Sequence, residues 1–246
     1  MVRVAICYFG LTRSLRLVYK THEERIYAIL RKAGIDYDIY LHTWKTTPEH
    51  NTVWNRVNTV EPDYEEPKLI NPTEYRIDDQ APLIKDISDN FADYWRKDIF
   101  ERMGGDSLYE WYPYLVRNNL YAMESQKRVT TMLLNSNREY DYVLYIRPDV
   151  HLYTEFPVEM LSQMNNDSIL ALNYDQCIEP PFHGVNTLFG VVPYTKCREY
   201  GCRIDEAKDY RKKIGRLAAE HYLGHIVRKY FKTILYTDFK LSLVRP

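Results

Sequence analysis

Residues 2–10, VRVAICYFG, and residues 37–44, YDIYLHTW, flank a helical pattern, and these three segments together decide the fold. Both runs are rich in β-branched and aromatic residues, which is typical of buried strands, and Gly10 indicates a tight turn after the first. Apolar residues recur at helical spacing across residues 14–34. A strand, a helix and a strand in this order form a βαβ unit, which predicts parallel strands in an α/β sheet.

The remaining patterns extend this alternation into one domain over residues 1–246. Residues 45–84 read as a long loop with one short strand at 57–60. The patterns predict helices at 89–103, 114–135 and 216–231, strands at 140–147, 168–172 and 187–192, and two strand-like C-terminal runs. We therefore expect a Rossmann-like, mixed but mostly parallel sheet flanked by helices.

Composition excludes some classes of function. The formal charge is −1, from 33 basic and 34 acidic residues, so general nucleic-acid binding is not expected. The four cysteines form no C-x-x-C pair and read as reduced thiols. The N-terminus lacks a signal-peptide pattern and no window holds 18 consecutive apolar residues, so we expect a cytoplasmic protein without a membrane span.

Ligands of open α/β sheets bind outside the carboxyl ends of the strands, which directs attention to three strand ends. At the first, Phe9 and Gly10 are followed by Arg13 beside a helix N-terminus, which is either a diphosphate site or a plain turn with a surface arginine. Neither a G-x-G-x-x-G nor a P-loop pattern is present. At the second strand end stand His42 and Thr43.

The third strand end lies in residues 140–153, YDYVLYIRPDVHLY. Here a carboxylate, Asp149, follows a rigid proline, and a carboxylate in that place can hold a divalent ion that bridges diphosphate oxygens. His151 lies on the same side of an extended chain, and its imidazole favours Mn²⁺ over Mg²⁺. Alternatively, Asp149 pairs with Arg147 or caps a turn.

Three segments resemble GT-A type glycosyltransferases found in bacterial polysaccharide loci and large DNA viruses. Residues 125–150, SQKRVTTMLLNSNREYDYVLYIRPDV, are similar to the family's segment that runs from a Ser-Gln helix into a strand ending Arg-x-Asp. VAICYFGLTRS resembles its first strand and Gly-x-x-Arg turn, and YDIYLHTW its second strand. The three motifs occur in the family's order and cover about the first 150 residues.

The resemblance implies a nucleotide-diphospho-sugar donor, for which UDP is the commonest nucleotide, an Mn²⁺ or Mg²⁺ ion, and a glycan or glycoprotein hydroxyl as acceptor. Residues 1–150 would bind the donor and residues 151–246 the acceptor, in a monomer or weak homodimer. Asp149, aided by His151, would take the metal-binding place of the family's Asp-x-Asp motif, although Arg147 stands where the first acidic residue belongs. The positions carried over to the donor site are Phe9, Gly10, Arg13, His42, Thr43, Arg147 and Asp149.

An inverting enzyme also needs a general base, whereas a retaining one can act without it. Asp175 is the first candidate and Glu179 the second, because both lie in a Pro- and Gly-containing loop after a strand, on the expected acceptor side. Two other functions remain open: a nucleotidyltransferase that makes sugar nucleotides, and a non-catalytic glycan-binding module that uses the chain's many tyrosines and tryptophans.

Overall fold

The computed structural model describes residues 2–46, 63–95, 113–174, 183–214 and 217–244. Within these ranges the strands are β1 Arg3–Phe9, β2 Asp36–Lys45, β3 Glu74–Asp79, β4 Tyr142–Ile146, β5 Val150–Leu152, β6 Ser168–Leu172, β7 Phe189–Pro193, β8 Thr233–Thr237 and β9 Leu241–Leu243. The α-helices are α1 Leu15–His22, α2 Ala28–Lys32, α3 Ala81–Asp89, α4 Pro113–Asn135, α5 Cys197–Gly201, α6 Ala207–Ile214 and α7 Ala219–Tyr230. A π-helical turn, Glu23–Tyr27, joins α1 to α2.

In the described part of the chain, seven strands form one sheet in the order β3-β2-β1-β4-β7-β6-β8. Strands β3, β2, β1 and β4 are parallel, β7 is antiparallel to both its neighbours, and β6 and β8 are parallel to each other. The chain runs outward from β1 through β2 to β3 and then returns to place β4 on the other side of β1. The α/β class and the mixed, mostly parallel sheet are therefore confirmed.

Helices cover both faces of this sheet because β1 is apolar on both. Val4, Ile6 and Tyr8 of β1 join the core cluster that contains α1, whereas Ala5, Cys7 and Phe9 join the cluster that contains parts of α4 and α7. A strand buried on both faces appears in the sequence as a continuous apolar run, which is the pattern at residues 2–10. Its alternating side chains fix which helix lies on which face.

A small second sheet pairs β5 with β9 in antiparallel register, His151 opposite Ser242. The segment just after β9 reaches back to the strand ends of the large sheet. The Val244 N–H donates to the Asp149 carbonyl at 2.8 Å, and the Ser14 hydroxyl donates to the Val244 carbonyl at 2.7 Å. The loops after β1 and β4 are thereby joined through the C-terminal strand.

Two predictions differ from the structure. The loop expected at 45–84 contains the strand β3, Glu74–Asp79, and the start of α3. The helix predicted at 89–103 is wrong in its described part, because α3 ends at Asp89 and a 3-10 turn, Phe91–Asp93, follows. Pro82 lies in the first turn of α3, where its missing N–H costs nothing, and so signals the true start. The strand predicted at 57–60 lies outside the described residues.

Three of the cysteines, Cys7, Cys197 and Cys202, are free thiols, as expected, and Cys177 lies outside the described ranges. Burial raises the pKa of the Cys7 thiol well above its ordinary value, so this thiol stays neutral. Among the described residues, no helix combines the length and the apolar character needed to cross a membrane.

Candidate functional site

The turn after β1 brings the backbone close to the end of β4. Gly10 has a φ of +99°, a conformation that L side chains rarely adopt, and its N–H donates to the Ser125 hydroxyl oxygen at 2.8 Å. The Arg147 guanidinium lies over the same glycine, with Cζ 3.7 Å from the position that a Cβ would take. Gly10 thus lets a tight turn, helix α4 and a cationic side chain meet at one point.

Two arginines converge on one carboxylate at this point, and we call Arg13, Arg147 and Asp149 the arginine cluster. Arg147 forms a bidentate pair with Asp149, in which Nε donates to Oδ1 and Nη2 to Oδ2, both at 2.8 Å. Arg13 Nη2 donates to the same Oδ2 at 3.1 Å. The Asp149 side chain is 0% exposed, whereas the side chains of Arg13 and Arg147 are 8% and 17% exposed. The carboxylate is therefore internal, and the two arginine side chains supply the small exposed part of the cluster.

The backbone around the arginine cluster is fixed by its own hydrogen bonds. The Arg147 N–H donates to the Leu188 carbonyl at 3.2 Å, next to the start of the antiparallel strand β7. The Val150 carbonyl accepts from buried His22 Nε2 at 2.8 Å. Because Nε2 donates, Nδ1 of neutral His22 accepts from the Tyr8 hydroxyl at 2.9 Å. The turn that carries Asp149 is thus held by β7 on one side and α1 on the other.

Electrostatics keep the cluster ionised. Burial by itself favours a neutral Asp149 carboxyl, but the charges and hydrogen bonds of Arg147 and then Arg13 outweigh it, so the pKa of Asp149 lies below its ordinary value. Burial also disfavours the charged Arg147, yet Asp149 raises the pKa of that guanidinium above its usual value. Two positive charges and one negative charge leave the cluster with one net positive charge.

The resemblance implies a divalent cation at Asp149, but the donor set does not fit one. Both carboxylate oxygens are hydrogen-bonded to guanidinium groups, and a metal ion at Asp149 would have to break these buried ion pairs. His151 sits on β5 with its ring against Tyr153, 4.7 Å between ring centres. No group of three or more His, Cys, Asp or Glu side chains able to hold a metal occurs within the described ranges. Of the two alternatives for Asp149, the pairing with Arg147 is the one observed.

A second chain of polar groups holds the Gly10 turn from the other side. His42, fully buried on β2, lies 2.8 Å from the Ser125 hydroxyl through Nδ1 and 3.2 Å from Asp78 Oδ2 through Nε2. Burial lowers the pKa of His42 to about 4, although the hydrogen bond with Asp78 opposes this. Neutral His42 donates from Nε2 to Asp78, which leaves Nδ1 as an acceptor. The one proton of the Ser125 hydroxyl lies within reach of this nitrogen, at 2.8 Å, and of the His42 carbonyl oxygen, to which the hydroxyl donates at 3.0 Å. His42 and Ser125 are 0% exposed, so they position Gly10 and do not meet a ligand.

The N-terminus of α1 is already occupied by a carboxylate. Glu66 is 4% exposed, and its Oε1 accepts from the Arg16 N–H at 3.1 Å. This negative charge satisfies the helix dipole, which would otherwise attract a phosphate. Of the two features expected to bind a diphosphate after β1, Arg13 therefore remains and the helix N-terminus does not.

The side chains of Phe9 and Thr43, two predicted donor-site residues, are both buried. Phe9 is 2% exposed and packs in the core with Val129 and Leu133, so its side chain is structural. Thr43 is 1% exposed, and its hydroxyl has no hydrogen-bond partner within the described part of the chain. The candidate bases Asp175 and Glu179 lie outside the described residues.

Sequence reasoning missed Ser125, Asp78 and Glu66. A signal existed for Ser125, because it lies four residues before Val129 on the buried face of α4, where a polar side chain needs a partner. Asp78 lies on a polar edge strand, and Glu66 precedes a proline in a short 3-10 turn. Nothing in their local sequence distinguishes these two from surface carboxylates.

Comparison of the chain with protein-family models gave no match, and comparison with the curated proteins gave none either.

Proposed function

We propose that this protein is a glycosyltransferase of GT-A type that moves a sugar from a nucleotide-diphospho-sugar to a hydroxyl group of a glycan or glycoprotein. One observation carries the proposal: Arg13 and Arg147 converge at the carboxyl ends of β1 and β4. The order of the parallel strands reverses between β1 and β4, and this is where open α/β sheets bind their ligands.

The arginine cluster is suited to a diphosphate for geometric reasons. Arg147 uses Nε and Nη2 to hold Asp149, which fixes the plane of its guanidinium group. Its remaining nitrogen, Nη1, lies 3.8 Å from the position of a Cβ on Gly10 and has no hydrogen-bond partner among the described residues. Arginine nitrogens held in a fixed plane match phosphate oxygens better than a flexible ammonium does.

The reaction follows from where charge develops. The acceptor oxygen forms a bond to the anomeric carbon, and the bond from that carbon to the phosphate oxygen breaks with its electron pair on the diphosphate. Two guanidinium groups beside the leaving oxygen stabilise that charge. In an inverting enzyme the acceptor proton passes to a carboxylate, for which Asp175 and then Glu179 are the proposed residues.

Nucleotide-dependent thermal stabilisation tests the proposal. We expect one of the UDP-, GDP- or TDP-sugars, at 100 times its dissociation constant, to stabilise the wild type by about 2.7 kcal/mol, or roughly 5–10 °C. Arg147→Met should remove the shift, whereas the control Arg25→Met, at a half-exposed arginine 3.9 Å from Glu155, should retain it.

The two other functions give different results in the same assay. A glycan-binding module would ignore every nucleotide, and a nucleotidyltransferase would respond to a nucleoside triphosphate together with a sugar phosphate. Either pattern, or no response of the wild type to any sugar nucleotide, refutes the proposal.

A further inference from the structure

We infer that the arginine cluster takes the place of a divalent cation, so that a nucleoside diphosphate binds here without metal and Asp149 is a positioning residue for the arginines. The inference rests on the proposed function. The resemblance implies that Asp149 is a metal ligand, whereas its carboxylate oxygens accept hydrogen bonds from two arginines.

Both carboxylate oxygens of Asp149 already accept hydrogen bonds. Oδ2 accepts hydrogen bonds from two guanidinium groups and Oδ1 from a third nitrogen, at 2.8–3.1 Å. A Mg²⁺ ion requires about six oxygen ligands at about 2.0–2.1 Å, and the oxygens facing it cannot at the same time accept from arginine. The 0% exposure of this side chain leaves no side open to an incoming hydrated ion.

The arginine cluster also carries the charge that a metal ion would supply. A divalent ion in such sites neutralises the leaving diphosphate, and the arginine cluster already supplies net positive charge at the same strand ends. Adding two further positive charges beside Arg13 and Arg147 would set like charges against each other in a mostly buried place. The chemistry that a metal supplies is thus duplicated by the two arginines.

Asp149 fixes the orientation of the two arginines. Without it, the Arg147 guanidinium loses both of the bonds that fix its plane, and Arg13 loses its bond to Oδ2. Asp149 therefore acts on the ligand through Arg147. A positioning role of this kind predicts that Asp149→Asn weakens binding of the diphosphate equally with and without metal.

Calorimetric titration of UDP, GDP and TDP into the full-length protein tests the inference, first in excess EDTA and then in MgCl₂ or MnCl₂. We expect at least one of the nucleotides to bind in EDTA, with a dissociation constant within about twofold of that in metal. Arg147→Met should weaken this binding about tenfold or more, because it removes hydrogen bonds to a charged group. Arg147→Lys keeps the charge but loses the paired N–H groups of the guanidinium, so its dissociation constant should lie between those of the wild type and Arg147→Met. Arg25→Met serves as the matched control and should bind as the wild type does.

The possible failures are distinguishable. Binding that appears only with Mg²⁺ or Mn²⁺ overturns the inference and leaves the proposed function standing. Metal-dependent binding that Asp149→Asn abolishes would restore Asp149 as a metal ligand. No binding of any of the three nucleotides in either condition overturns the proposed function, and the inference with it.

Discussion

Replacing Asp149 with asparagine removes a buried charge without changing the shape of the side chain, and its main effect should be on stability. In the wild type the carboxylate compensates two guanidinium groups from inside the fold. Asparagine keeps one acceptor oxygen but no charge, so Arg13 and Arg147, both largely buried, lose the carboxylate to which they bond. Breaking a buried ion pair from one side costs about 3–5 kcal/mol.

For a chain of this size that loss corresponds to roughly 6–20 °C in Tm. Urea unfolding should show a lower midpoint with an unchanged slope, because the surface exposed on unfolding stays the same. The matched control is Asp205→Asn, at a carboxylate that is 56% exposed and pairs with Lys127 on the surface. The control should change stability by at most about 1 kcal/mol.

Metal-binding carboxylates exposed in a cleft repel their neighbours, so removing one leaves stability unchanged or raises it. An Asp149→Asn protein as stable as the Asp205→Asn control would mean that the carboxylate is not an internal partner of the arginines.

Two further predictions follow from the buried groups around the site. Burial lowers the pKa of His22 and of His42 in the folded protein to about 4. As the pH falls from 6.5 to 4, these histidines therefore become protonated in the unfolded chain while they remain neutral in the folded protein. The stability they contribute is complete above about pH 6.5 and is lost towards pH 4, by roughly 3 kcal/mol for each histidine. Urea midpoints measured across this pH range should therefore fall, and His22→Gln should make the fall smaller. A urea midpoint that does not change with pH would contradict the prediction. Ser125→Ala removes the acceptor of the Gly10 N–H and the donor to His42. It should lower the free energy of unfolding by about 1–3 kcal/mol and weaken nucleotide binding. Calorimetry that finds nucleotide binding unchanged would show that the Gly10 turn does not depend on Ser125.

Much of the sheet could be predicted because its central strands are buried on both faces. Strands β1, β4 and β6 appear as continuous apolar runs, and the structure has them close to the predicted limits. The edge strand β3, EYRIDD, is largely exposed and carries no such pattern. The three-residue strand β5 exists because β9, far along the chain, pairs with it, and no local pattern encodes that pairing.

The candidate site was predictable in position but not in its internal bonding. The rule that ligands bind at strand ends selected Gly10, Arg13, Arg147 and Asp149, and these four do lie together. The role of Asp149 depends on Arg13, which is 136 positions away, and on the depth to which the carboxylate is buried. Neither can be deduced from the short spacing Arg-Pro-Asp, which fits a metal ligand and an ion pair equally well.

Transfer of a sugar is the most direct test of the central claim. The wild-type protein is incubated with UDP-, GDP- and TDP-sugars and a set of glycan acceptors, and both the released nucleoside diphosphate and the mass of the acceptor are measured. The account predicts that one donor is consumed and that an acceptor gains one sugar mass, in EDTA as well as in MnCl₂, while Arg147→Met shows neither change. Donors that all stay intact with a protein shown to be folded would contradict it.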